Sequence, residues 1–111
     1  MAFTATSSRT GKTMLITLEG ELDARHAATF LEEVDLAADG EIEQLVLEMT
    51  NLSYLSSAGL RGLIFARQKM TDNARLVLVG VTDAVEQTIR LVGFHHSVVL
   101  TDRVPLEDGP G

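Results

Sequence analysis

Two short apolar runs, Leu45-Val46-Leu47 and Leu76-Val77-Leu78-Val79, constrain this chain most. Such runs suit strands buried on both faces, and those strands occur where helical crossovers join parallel neighbours. Amphipathic helix patterns lie before, between and after them. Ala27, Phe30, Leu31, Val34 and Ala38 recur at helical spacing, while Glu32, Glu33, Asp35 and Asp39 fall mostly elsewhere on the wheel. Gly40 is placed to end that helix. Leu60, Leu63, Ile64 and Met70 mark a second helix from about Ala58 to Met70, followed by a turn at Thr71-Asp72-Asn73. Val85, Ile89 and Val92 form the stripe of a third, closed by Gly93. Thr82 or Asp83 caps it, and Asp83-Ala84-Val85-Glu86 has the form of a capping box.

Two strand signals open the chain. Phe3 to Ser8 is weakly β-prone, and Met14 to Glu19 places Met14, Ile16 and Leu18 on one face. Thr10-Gly11-Lys12 between them reads as a turn, so the pair forms a hairpin, and Gly20 is expected to end its second strand. Thr50 to Ser56 is expected to be a polar loop, with Leu52 and Tyr54 as core or loop anchors, and Ser97 to Leu100 a last strand. The order is β-β-α-β-α-β-α-β. It predicts one α/β domain over residues 1–103, a mixed, mostly parallel sheet of roughly four to five strands packed with roughly three to four helices. Residues 104–111 hold both prolines and are expected to be a flexible tail.

At 111 residues the chain is long enough for one domain. A domain of this size buries roughly 65% of its unfolded surface, enough for a core without staples. The formal charge of −7 disfavours nucleic acid, which needs concentrated Lys and Arg. The absence of cysteine excludes a disulfide scaffold, a thiolate nucleophile and a Cys-based zinc site. The longest apolar run, Leu76 to Val81, has six residues, against about 20 needed to cross a bilayer. No membrane insertion is therefore expected. The first residues lack a basic region followed by an apolar one, so the expected location is the cytoplasm.

The stretch Leu55-Ser56-Ser57-Ala58-Gly59-Leu60-Arg61 carries most of the functional information. It lies where a loop is expected to enter a helix. On the plain structural reading one serine caps the helix and the other belongs to the loop. On the functional reading, a helix N-terminus tolerates added negative charge, so a serine here can carry a phosphate at little cost to the fold. Ala58 and Gly59 keep the approach open for a partner or an enzyme.

These residues resemble a known family. Gly20-Glu21-Leu22-Asp23, Leu45-Val46-Leu47-Glu48-Met49-Thr50-Asn51-Leu52 and Ser56-Ser57-Ala58-Gly59-Leu60-Arg61, in that order and spacing, resemble the STAS domain of the anti-sigma factor antagonist type. The likeness runs from about Met14 to Leu100. It implies a non-enzymatic switch protein. Its unphosphorylated form binds an anti-sigma factor that is also a serine kinase, which releases a sigma factor. Phosphorylation of one serine ends the binding, and a serine phosphatase resets it. The resemblance places that serine at Ser57, with Ser56 as second choice. It places partner contacts at Glu21, Asp23, Asn51, Ser56, Ser57, Gly59 and Arg61. The chain has Ser56 where the family pattern has Asp before the acceptor, and Glu48 where it usually has Asp.

Asp23 is also an expected helix N-cap. From Glu19 to Glu48 there are ten acidic residues and one basic residue, Arg25. From Ser57 to Arg75 there are four basic residues and one acidic residue, Asp72. This is either two solvated helix faces or steering toward a partner of complementary charge. His95 and His96 are adjacent and His26 is remote from them in sequence, so no metal ligand set is read. No cofactor is expected, because the phosphate-binding and dinucleotide glycine motifs are both absent. Two other readings stay open. One is a STAS-fold subunit of another signalling or lipid-transport complex, with Ser57 structural. The other is a small hydrolase or nucleotide-binding enzyme, although the nucleophile-elbow pattern is missing.

Overall fold

A computed structural model describes residues 3–38 and 42–104. The helix end expected at Gly40 and the tail from residue 105 onward lie outside the described residues. The elements are β1 (Thr4–Thr10), β2 (Thr13–Leu22), α1 (Ala27–Ala38), β3 (Gln44–Leu55), α2 (Ser57–Lys69), β4 (Arg75–Val79), α3 (Asp83–Leu91), a 3-10 turn (Phe94–His96) and β5 (Val99–Thr101). The five strands lie in the order β1-β2-β3-β4-β5. β1 pairs antiparallel with β2 through the turn at Gly11, whose φ is 61°. The other three pairings are parallel. The α/β architecture expected from the sequence is the one observed, with three α-helices among the described residues.

Strands joined in sequential order by crossovers of one hand place every helix on the same sheet face. The side chains agree. Met14, Ile16 and Leu18 of β2, Leu45, Leu47 and Met49 of β3, and Leu76 and Leu78 of β4 share one core with all three helices. Those helices contribute Phe30 and Val34, Leu60 and Leu63, and Val85 and Ile89. The intervening residues Leu15, Val46, Val77 and Val79 form a smaller cluster on the opposite face. This division explains the continuous apolar runs: both faces of β3 and β4 bury their side chains.

Six sequence expectations require correction. Gly20 does not end β2, which continues to Leu22. Gly20 has φ 97°, a conformation that favours glycine, and it sits where the ladder shifts register. Thr50 to Leu55 is not a loop but the second half of β3. Thr17 opposes Glu48 while Glu19 opposes Asn51, and Gly20 opposes Leu52 while Glu21 opposes Tyr54. One extra β3 residue therefore enters at each of two bulges. The buried residues Met49, Leu52 and Leu55 come three apart instead of two, which hides the strand from a search for alternation.

Tyr54 is not a core anchor, being 52% exposed, whereas Leu52 is fully buried. Val92 falls beyond the end of α3 and is exposed, so the helix stripe is Val85 and Ile89. The capping box at Asp83 to Glu86 also differs. Thr82 is the N-cap and accepts from the Val85 backbone N–H at 3.4 Å, while Glu86 turns down the helix to Arg90 at 2.6 Å. The last strand is shifted to Val99–Thr101, because the Ser97 N–H closes the preceding 3-10 turn by donating to the Phe94 carbonyl at 2.9 Å.

Candidate functional site

Both bulges in β3 are braced by side chains. The Thr50 backbone N–H donates to Glu48 Oε1 at 2.9 Å, and the Thr50 hydroxyl donates to Glu48 Oε2 at 3.0 Å. At the second bulge the Ser53 hydroxyl donates to the Gly20 carbonyl at 3.0 Å. Bulges bend a strand and increase its twist, so these braces set the direction in which β3 delivers α2. A Cβ on Gly80 would overlap the Thr50 hydroxyl, so β4 also ends against this brace.

The end of β3 is tied directly to the end of β2. The Ser56 backbone N–H donates to the Leu22 carbonyl at 3.0 Å. One turn later the Gly59 backbone rides over the same residue. A Cβ at Gly59 would lie 2.3 Å from the Leu22 carbonyl oxygen and 3.0 Å from its side chain, so glycine is required there. These contacts bring Glu21 and Asp23, beside Leu22, to the start of α2. Glu21 is half-buried and faces Tyr54 across the ladder.

The two serines are distinguished by what their hydroxyls do. Ser56 has extended backbone and is the N-cap of α2; its Oγ accepts from the Gly59 backbone N–H at 3.0 Å. It is partly buried. Ser57 is the first residue of α2, is exposed, and its hydroxyl has no hydrogen-bond partner among the described residues. Arg61 follows one turn along the helix and is also exposed. Among the described residues it makes no ion pair or hydrogen bond through its side chain.

Asp23 is held by its own neighbours. Its carboxylate accepts from the Arg25 backbone N–H at 3.0 Å, pairs with the Arg25 guanidinium at 3.3 Å and lies 2.9 Å from His26 Nδ1. Its carbonyl accepts from the His26 and Ala27 N–H groups. It therefore caps the turn that leads into α1, and not the helix itself as the sequence predicts, because α1 starts four residues later at Ala27. Burial pushes its pKa up, but the hydrogen bond and charge of Arg25, with His26, outweigh this and hold it below the usual carboxylate range.

Of the residues singled out from sequence, the fold gathers Glu21, Asp23, Ser56, Ser57 and Gly59 at the ends of β2 and β3, with Arg61 one helical turn on. Asn51 is exposed but opposes Glu19, three ladder steps or about 10 Å behind the Leu22–Leu55 pair. Sequence reasoning missed Tyr54 at this surface. Its signal was obscured by the second bulge, which turns Ser53 and Tyr54 outward together. Clefts of about 410 Å³ beside Glu86 and Arg90, and about 290 Å³ beside Arg75 and His96, contain neither serine. Among the described residues, no three His, Asp or Glu side chains are grouped to hold a metal ion, and no helix is long and apolar enough to cross a membrane.

Comparison with solved structures shows the same fold. An anti-sigma factor antagonist from Mycobacterium paratuberculosis superposes with a TM-score of 0.84 at 18% identity, covering 93% of this chain and 88% of that one. The anti-sigma factor antagonist SpoIIAA in its unphosphorylated form gives a TM-score of 0.72 at 21% identity, covering 93% and 90%. The Bacillus cell fate determinant SpoIIAA in its phosphorylated form gives 0.69 at 18%, covering 98% and 96%. A search of curated proteins returns no match. The STAS domain family model matches residues 5–106, so the chain belongs to the STAS domain family.

Proposed function

We propose that this protein is a phosphorylation-controlled binding module of bacterial partner switching. Its unphosphorylated form binds an anti-sigma factor that is also a serine kinase, and a sigma factor is released. The kinase transfers the γ-phosphoryl group of ATP to the Ser57 oxygen, the hydroxyl proton leaves, and the partner dissociates. A serine phosphatase restores the hydroxyl. The protein catalyses none of these steps, and ATP as donor puts the exchange in the cytoplasm. The observation that carries this reading is the exposed hydroxyl of Ser57, unengaged among the described residues, beside a Ser56 hydroxyl already committed to capping. Antagonists of similar fold, including one known in both phosphorylation states, support it.

The surface around Ser57 suits a protein partner. Ser57, Arg61 and Phe65 are spaced four apart and all exposed, so they line one face of α2. Phe65 is 44% exposed and Tyr54 is 52% exposed. Aromatic residues and arginine are the usual anchors of protein interfaces. A phosphate adds about −1.5 to −2 charge to this face. A penalty of about 2–5 kcal/mol for burying it in an interface weakens binding roughly 30- to 5,000-fold.

The test is incubation with ATP and a candidate anti-sigma kinase, followed by mass spectrometry and calorimetric binding. Phosphate is expected on the parent and on Ser56→Ala, and none on Ser57→Ala. Phosphoprotein is expected to bind at least about 30-fold more weakly than the parent. Phosphate on another residue, or equal affinity of the two forms, overturns the reading. Stable co-purification with a membrane-associated complex and no phosphate on Ser57 would assign the domain to a different assembly.

A further inference from the structure

We propose that Arg61 is the internal receptor for the phosphate on Ser57, so that phosphorylation both adds a dianion to the docking face and withdraws a cation from it. The proposal rests on the reading of Ser57 as the acceptor.

Residues four apart on a helix have Cβ atoms about 5–6 Å apart. Helical side chains also lean toward the N-terminus, so the stem of Arg61 tilts back toward the turn that holds Ser57. An anion preceding a cation by four residues is the favourable order for such a pair. The guanidinium presents two parallel N–H groups, which match two oxygens of a phosphate.

The neighbouring cations are already occupied. Arg67 donates to the Thr71 carbonyl at 3.2 Å, Lys69 pairs with Asp35 of α1 at 2.9 Å, and Arg25 pairs with Asp23. Arg61 has no such partner among the described residues. The first turn of α2 has no acidic residue to compete for it. The acidic groups on the adjoining strand end are Glu21 and Asp23, and the latter is held by Arg25 and His26. Tyr54, the remaining titratable group at this end, projects from β3.

The test needs neither kinase nor partner. Phosphoserine is installed at position 57 during translation, and its second ionisation is followed by ³¹P NMR in the parent and in Arg61→Gln, Arg61→Lys and Arg67→Gln. Circular dichroism checks that each variant is folded. Arg61→Gln is expected to raise the phosphate pKa by about 0.3 unit or more. Arg61→Lys should recover part of that shift, and Arg67→Gln should leave the value near that of the parent. An Arg61→Gln protein that titrates with the parent overturns the proposal. Equal shifts in the Arg61 and Arg67 variants also overturn it, because they indicate the general field of the helix and not a pair. If the anti-sigma kinase leaves Ser57 unmodified, the functional reading fails while the titration still decides whether the pair forms.

Discussion

The starts of α2 and α3 are built from the same parts and finished differently. Each has a hydroxyl N-cap accepting from the third backbone N–H of its helix, Ser56 at 3.0 Å and Thr82 at 3.4 Å. α3 then carries Asp83 and Glu86 in its first turn, so its positive end is already matched by fixed carboxylates. α2 carries none, and its first residue is the exposed Ser57. One helix end is electrostatically complete, and the other leaves room for a charge to be added later. Packing differs as well: Gly59 presses α2 onto the Leu22 backbone, which ties this open end to β2.

The largest effect should come from breaking that packing. Gly59→Ala forces a carbon into the Leu22 carbonyl and should destabilise the domain by about 2 kcal/mol, after the roughly 1 kcal/mol that alanine gains in helix propensity. Gly62→Ala should have the opposite sign, stabilising by up to about 1 kcal/mol, because its added carbon meets Phe30 at an ordinary 3.5 Å. Urea denaturation of the two variants checks the contrast.

Next come the caps. Ser56→Ala should cost about 1 kcal/mol, and Thr82→Ala less, because its hydrogen bond is longer. Equal losses would remove the distinction between the two caps.

Charge effects should be smaller. Ser57→Asp should stabilise the isolated domain by about 0.3–1 kcal/mol, and Asp83→Ser should destabilise by a similar amount. Both effects should shrink in high salt. Thermal unfolding at two ionic strengths measures both.

The smallest test concerns pH and the far end of α3. His95 is partly buried, and its Nδ1 is enclosed without a hydrogen-bond partner among the described residues. Burial pushes its pKa down, and the charges of His96 and Arg90 add to this. Because the folded protein resists protonation there, His95 favours the native state above its unfolded pKa of about 6.5, and this contribution is lost as pH falls toward the folded value. His95→Gln should flatten the stability profile in that window, as followed by denaturation between about pH 7 and 5.

Much of this organisation was legible from the residues. The apolar runs at Leu45 and Leu76 identified the doubly covered strands, and helical spacing at Phe30, Leu63 and Ile89 identified the helix faces. The order of elements then fixed a largely parallel sheet. At Ser56 and Ser57 the residues themselves leave either serine free to cap, and it is the family resemblance that singles out Ser57. Only the geometry shows that Ser56 accepts from Gly59, while the Ser57 hydroxyl has no partner among the described residues. The second halves of β2 and β3 were obscured for a different reason. Gly20 and the polar residues Thr50, Asn51 and Ser53 are turn-formers locally, and the long-range ladder between the two strands overrides that preference. Tyr54 was misplaced with them.

The two extra residues in β3 have an engineering consequence. At each bulge a pair of outward residues, Thr50 with Asn51 and Ser53 with Tyr54, occupies the place of one. Removing Thr50 or Ser53 therefore leaves every inward side chain of the strand facing inward. Such a shortened protein would keep its interior while aiming its recognition end elsewhere, so foldability and addressability can be altered separately by trimming one amino acid.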